Sequence, residues 1–214
     1  MKKSPFKFLS LAGVIGPVLF TLITVICASL RPGYSHISQF ISELGATGSP
    51  NAQFMNFAGF IPTGLMIAMF GVSLYLLLSK HLLTRTGSVF ITVFGLGIVV
   101  AGLFSCDIGC PREGSIENNI HDTVSGPIFL IGIIGILLHG ISFRRQPSFR
   151  SIWFFSVVSA LLAFTFMVAL VNSFETYTTT GFWQRLLLAT IFLWCGIVGM
   201  KLYKSSQDIS AGES

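Results

Sequence analysis

Hydrophobic residues fall in six long runs separated by short polar stretches: about Phe8 to Leu30, Met55 to Leu78, Ser88 to Ser105, Ser125 to Phe143, Ser151 to Asn172 and Leu186 to Tyr203. Each is near the roughly 20 residues that a helix needs to cross a hydrocarbon core. None carries the broad polar face of a helix lying on a surface. The first run follows Lys2, Lys3 and Lys7, as the core of a signal peptide would. It is too long for such a core and has no clean small-x-small cleavage site before Arg31, so it reads as a span. The pattern predicts an all-α polytopic membrane protein: a six-transmembrane-helix bundle over residues 1–204, then a disordered cytoplasmic tail over 205–214.

The polar stretches carry patterns of their own. After the first span, Ile37, Phe40, Ile41 and Leu44 recur at the spacing of one helical face. With Ser35 as N-cap and Gly45 as stop, this predicts a short interfacial helix that shows His36, Gln39 and Glu43 on its other face. After the third span, Ile116, Ile120 and Val124 share a face, which predicts that this outer loop is itself partly helical, and Ser125-Gly126-Pro127 reads as the start of the fourth span. The last such stretch runs from Phe174 to Arg185 and includes Tyr177 and Trp183, residues suited to a membrane interface. Gly97 with Ala101, and Ser156 with Ala160, are small pairs four apart that favour close helix contact. Pro17 and Pro62 predict kinks.

Composition strengthens this picture. The chain is 52% hydrophobic and 10% charged, with mean hydropathy +0.79, whereas a soluble domain carries about 25% charged residues. The net charge is +5, and its placement gives the orientation. With the N-terminus in the cytoplasm, Lys2, Lys3, Lys7, Lys80, Arg85, Arg144, Arg145, Arg150, Lys201 and Lys204 lie inside; only Arg31, Arg112 and Arg185 lie outside. Ten basic residues against three follows the positive-inside rule and predicts a cell-membrane protein with both termini cytoplasmic. A basic domain outside the bilayer is missing, which argues against nucleic acid as a partner. Membrane lipids are the expected partners, with a lipid-linked or small-molecule ligand as a further one. Oligomeric state is not legible.

Candidate chemistry concentrates on the outer side, where loops held by a rigid scaffold can carry function. Residues 106–122 hold Cys106-Asp107-Ile108-Gly109-Cys110-Pro111 and then His121-Asp122; residues 34–45 hold Tyr34, His36, Ser38, Gln39, Ser42 and Glu43. Cys106 and Cys110 are read first as a disulfide on an oxidising face; a zinc site with His121 and Asp122 is the alternative. The preferred reading assigns no metal and no cofactor. His36, Glu43, Asp107, His121 and Asp122 are the acid–base candidates. Tyr34, Ser38, Gln39, Ser42, Gln184 and Arg185 are the substrate-binding candidates, Arg185 through its phosphate- and carboxylate-matching fork. The alternative for Arg185 is an ion pair that holds the loops together. Serine nucleophiles lack a strained Gly-x-Ser-x-Gly turn here. His81 and His139 read as interfacial residues of the inner side, with His139 packed near a helix end.

The stretch Tyr34-Ser35-His36-Ile37-Ser38 through Ile41-Ser42-Glu43-Leu44-Gly45-Ala46-Thr47-Gly48, the Cys106–Pro111 box, His121 and Gln184-Arg185 together resemble the domain-of-unknown-function 998 family of small prokaryotic polytopic membrane proteins. The resemblance covers nearly the whole chain; it implies the same topology and brings no activity with it. A fainter similarity links Ile41-Ser42-Glu43-Leu44-Gly45 to the Frag1/DRAM/Sfk1 membrane proteins. Three functions stay open. The first is an enzyme acting on a lipid or lipid-linked substrate by hydrolysis or group transfer. The second is a non-enzymatic lipid-binding or assembly protein. The third is a facilitator-type transporter, disfavoured because the span middles offer no acid, base or histidine for coupling. If the two outer loops meet over one pocket, His36 or Glu43 should lie near Asp107, His121 or Asp122.

Overall fold

The computed structural model describes residues 5–211, all of their regular structure helical. Six helices are long and apolar enough to cross a membrane. We label them α1 (Ala12–Ser29, entered through a 3-10 turn at Pro5–Leu11), α2 (Ala52–Leu77), α3 (Leu82–Leu103), α4 (Ile116–Phe143), α5 (Pro147–Glu175) and α6 (Thr180–Ala211). Helix α3, for example, has 22 residues, or about 33 Å of helix at about 1.5 Å per residue, enough to cross. The last helix continues to Ala211, so residues 205–211 extend it where a tail was expected; residues 212–214 lie outside the described residues.

Consecutive helices pack side by side in an up-and-down ring, and α1 closes the ring against α6. Small residues set the closest approaches, as expected where lipid offers no hydrophobic drive to bring helices together. A Cβ on Gly64 of α2 would lie 2.6 Å from the Gly95 carbonyl oxygen of α3. One on Gly140 of α4 would lie 3.0 Å from the Val157 nitrogen of α5. Of the expected small pairs, Gly97 makes close contact, against Ile128. Ser156 accepts a 2.9 Å hydrogen bond from the Trp194 indole.

Two departures from regular helix have local causes. In α2, Met55–Phe60 forms a π turn in which the Ile61 N–H reaches Asn56 O, five residues back. It ends just before Pro62, whose ring nitrogen cannot donate to the preceding turn. The fourth helix starts at Ile116, a full segment earlier than the Ser125 start that the sequence pattern predicts. Its N-cap is Ser115, whose hydroxyl accepts the Asn118 N–H at 3.2 Å. Ser125 lies inside the helix and donates to His121 O at 2.7 Å.

The two ends of the ring differ. One end carries Lys80, Arg144 and the 3-10 turn Pro147–Ile152 in short links. There Arg144 lies over Trp153 and Lys201 over Phe149. The core beneath is tight: His139, packed near the helix end as expected and fully buried, sits 5.4 Å from Phe143 and 5.6 Å from Trp194, with Ser88 Oγ 3.4 Å from its Nε2. The opposite end carries the two long loops, residues 30–51 and 104–115, and the candidate residues gather there; the third link is short, because Ser173–Glu175 is a 3-10 turn and the last helix begins at Thr180, where a loop from Phe174 to Arg185 was expected.

Candidate functional site

The first long loop is a plug. Ile41, Ser42, Glu43, Leu44, Gly45 and Ala46 are all buried, seated in the mouth of the ring. The predicted interfacial helix is replaced by turns and one 3-10 turn, Ser42–Leu44. Side chains outcompete the helical backbone bonds. Glu43 Oε1 accepts the Phe40 N–H at 2.9 Å, and Gln184 Oε1 accepts the Ile41 N–H at 2.6 Å. Such local capture of backbone donors is what disfavours a helix. Glu43 Oε2 accepts from Gln39 Nε2 at 2.7 Å and faces the Arg31 guanidinium at 4.0 Å; Arg31 also donates to Glu43 O at 2.6 Å.

The start of α6 clamps this plug. Arg185 donates to Tyr34 Oη at 2.6 Å, Gln39 O at 3.0 Å and Gly181 O at 2.8 Å. The Tyr34 hydroxyl in turn donates a hydrogen bond to Phe40 O at 2.8 Å. Burial lifts the Tyr34 phenol above its ordinary value by more than Arg185 lowers it, which keeps that donor protonated. Thr180 Oγ1 donates to Ser38 O, and the Phe182 N–H to Ile37 O at 2.9 Å. A Cβ on Gly181 would overlap Gln39 O, so only glycine lets the loop lie this close. His36 stands apart: exposed, edge-on to Tyr34 at 5.4 Å. Partial burial, and then the Arg185 charge, hold its imidazole below the usual value.

The second loop is tied down as firmly. Cys106 and Cys110 form the disulfide. The Thr47 N–H donates to Cys106 O at 2.9 Å, and Ser42 Oγ lies 3.4 Å from Cys110 Sγ. The Asp107 carboxylate accepts the Ser115 N–H at 2.7 Å and the Ser115 hydroxyl at 2.9 Å, at the N-terminus of α4. The loops therefore meet, but through other partners than expected. Glu43 and Asp107 are each engaged within their own segments. The joining residues are Ser42, Thr47, the disulfide and Asn56. Asn56 donates to Gly45 O at 2.9 Å and to Ser105 Oγ at 2.8 Å. Asn56 and the fully buried Asn118, which accepts the Asp107 N–H at 3.0 Å, are structural residues that the sequence reading passed over. Asn56 stands at the start of an apolar run, whereas Asn118 sits in a polar stretch with no signal of its own.

Beneath the plug lies a chamber of about 570 Å³ bounded by residues of all six helices. This is the size of a small-molecule site. Its walls are apolar, with Phe20, Phe60, Phe129, Leu170, Leu188 and Phe192 among them. Its polar lining comes from Ser42, Arg112, His121, Asp122, Ser125 and Gln184. Leu130 of α4 and Val171 of α5 also line it, yet are 39% and 55% exposed. The chamber thus reaches the bilayer-facing surface between these helices, which pack closely at the other end through Gly140. A larger groove of about 1530 Å³ lies between α1 and α6, from His36 and Arg185 to Lys201 and Lys204. It runs along the length of the bundle, and its Arg185 is already committed to the plug.

His121 is the best-built polar group of the chamber. It is 5% exposed, and Nδ1 lies 2.9 Å from Phe104 O. In the neutral ring this places the proton on Nδ1 and leaves Nε2 as the acceptor, with no protein partner among the described residues. Asp122 is exposed and likewise has no hydrogen bond among the described residues. Of the acid–base candidates, then, His121 and Asp122 share the chamber, whereas His36, Glu43 and Asp107 do not. Of the binding candidates, Ser42 and Gln184 line it, and Tyr34, Ser38, Gln39 and Arg185 build its roof and clamp.

Neither a curated protein nor a solved structure was found to match the chain. A family model described as "Protein of unknown function (DUF998)" matches residues 14–201. That match spans the whole ring from α1 to α6, and the chain belongs to this family of integral membrane proteins.

Proposed function

We propose that this protein binds an amphiphile, a lipid or lipid-linked molecule, in the chamber under the plug, with the two long loops on the external face of the cell membrane. The observation that carries the reading is the shape and lining of the chamber. It is apolar along its walls, open toward the bilayer between α4 and α5, and polar at one end only. An amphiphile entering from the leaflet keeps its chain in apolar surroundings and brings its head group to His121 and Asp122. The polar groups of the plug support binding over catalysis. Glu43, Asp107 and Arg185 are all engaged by protein partners, and Ser125 gives its proton to a backbone carbonyl.

Gly126 supplies the test. It lines the chamber, and a Cβ there meets nothing within 4 Å. Purified protein should carry lipid detectable by native mass spectrometry, and Gly126→Phe should lose it while folding normally. Equal lipid occupancy in that variant sinks the reading. One observation favours a second reading, hydrolysis or group transfer: the unpartnered Nε2 of His121 has the placement of a general base. Turnover of the bound lipid that His121→Ala abolishes without loss of binding would establish it.

A further inference from the structure

The mouth of the chamber has a charge pattern that narrows the ligand. Among the described residues, Arg112 and Asp122 are the only charged side chains on its lining. Neither has a hydrogen bond or ion pair to another described residue, whereas Arg31, Arg185, Glu43 and Asp107 at the same end are all engaged. The same lining holds His121, whose Nδ1 is taken by Phe104 O, and the side chain of Gln184, whose Oε1 is occupied by the Ile41 N–H and whose amide N–H groups remain as donors. One guanidinium and one carboxylate therefore stand on the same lining, among the polar side chains of Ser42, His121, Ser125, Tyr177 and Gln184. A purely anionic head group would gain Arg112 but meet Asp122 as a like charge; an uncharged one would use neither.

We propose that this rim reads the head group of a zwitterionic aminophospholipid, with Arg112 and the Gln184 amide on the phosphate and Asp122 on the primary ammonium. The guanidinium fork matches two phosphate oxygens at once. The carboxylate accepts N–H bonds from a primary ammonium, which a quaternary ammonium cannot give; His121 Nε2 is a second acceptor for the same group. The proposal rests on the amphiphile reading of the chamber and adds the chemistry of the head group to it.

The test is binding of short-chain phosphatidylethanolamine, phosphatidylcholine, phosphatidylglycerol and diacylglycerol to the purified full-length protein, followed by native mass spectrometry. Phosphatidylethanolamine should bind about tenfold more tightly than phosphatidylglycerol or diacylglycerol, a difference of about 1.4 kcal/mol. Asp122→Asn should remove most of that preference, and Asp122→Lys should reverse it toward phosphatidylglycerol. Arg112→Gln should weaken all three phospholipids and leave diacylglycerol unchanged. Both side chains lack protein partners, so these variants should fold; thermal unfolding checks this. If wild type binds all four lipids alike, or Asp122→Lys keeps the original order, the head-group proposal is wrong while the chamber still binds amphiphiles. If Gly126→Phe binds all four as wild type does, the amphiphile reading fails, and this proposal with it.

Discussion

Glu43 shows how a single side chain decides what a segment becomes. At 6% exposure its carboxylate is removed from water, and it is compensated by one backbone N–H, one side-chain amide and the Arg31 guanidinium. Removing one partner of a buried pair typically costs about 3–5 kcal/mol, because the other charge is left uncompensated. Glu43→Ala should therefore lower the thermal unfolding temperature sharply, and Glu43→Gln, which keeps an acceptor for Phe40 N–H, by clearly less. Equal stability of Glu43→Ala and wild type would show that the plug is held without it. The sequence marks Glu43 as an unusual acid near a membrane and suggests acid–base work. Its actual neighbours are fixed by a turn and by α6, which no spacing rule encodes. His121 is different: it is buried with Asn118 and Ile128, three residues before it and seven after it on α4, whereas Ile116, which the apolar spacing groups with Ile120 and Val124, is 76% exposed, so that spacing marks the wrong face.

The same contrast holds for elements. The six spans were legible because length and hydropathy are set by the bilayer itself. The start of α4 was not, because Glu117, Asn118, Asn119, His121 and Asp122 look like loop by polarity alone. What makes them helical is the cap built by Ser115 and Asp107, together with the buried Asn118 that ties Asp107 N–H and Pro111 O to the first turn. The first loop errs in the other direction: its helical period is real, but Phe40 and Ile41 give their N–H groups to Glu43 and Gln184. The cap can be tested. Ser115→Ala should cost about 1 kcal/mol and speed hydrogen exchange of the amides at 117–119, with little change in the middle of α4. Unchanged exchange there would mean that the first turns are held by packing alone.

For the whole molecule, charge asymmetry gives the orientation that we propose. Single cysteines introduced into a background lacking the native four should be labelled from outside the cell at position 112 and not at position 205; labelling at 205 would reverse the assignment. The asymmetry fits the division of labour between the ends: tight links and a packed core where the basic residues cluster, long tied-down loops over a chamber where they are scarce. The sequence shows this division as loop length and composition. It does not show the chamber, which arises because α4 and α5 touch through Gly140 at one end and line a void with Pro127, Leu130, Met167 and Val171 at the other.

The closure of the ring by its first and last helices has a consequence for how the molecule is made. The bond from Ile41 to Gln184 joins residues 143 positions apart. At a synthesis rate of about 5–20 residues per second, the segment waits about 7–30 s after leaving the ribosome before its clamp exists. In that interval the Ile41 N–H and the carbonyls of Ile37, Ser38 and Gln39 have to be satisfied by water. The mouth of the ring therefore stays open throughout insertion and shuts last. A nascent chain halted before Thr180 holds five inserted helices but an undocked Tyr34–Ala46 segment. The final span thus acts as the latch of biogenesis.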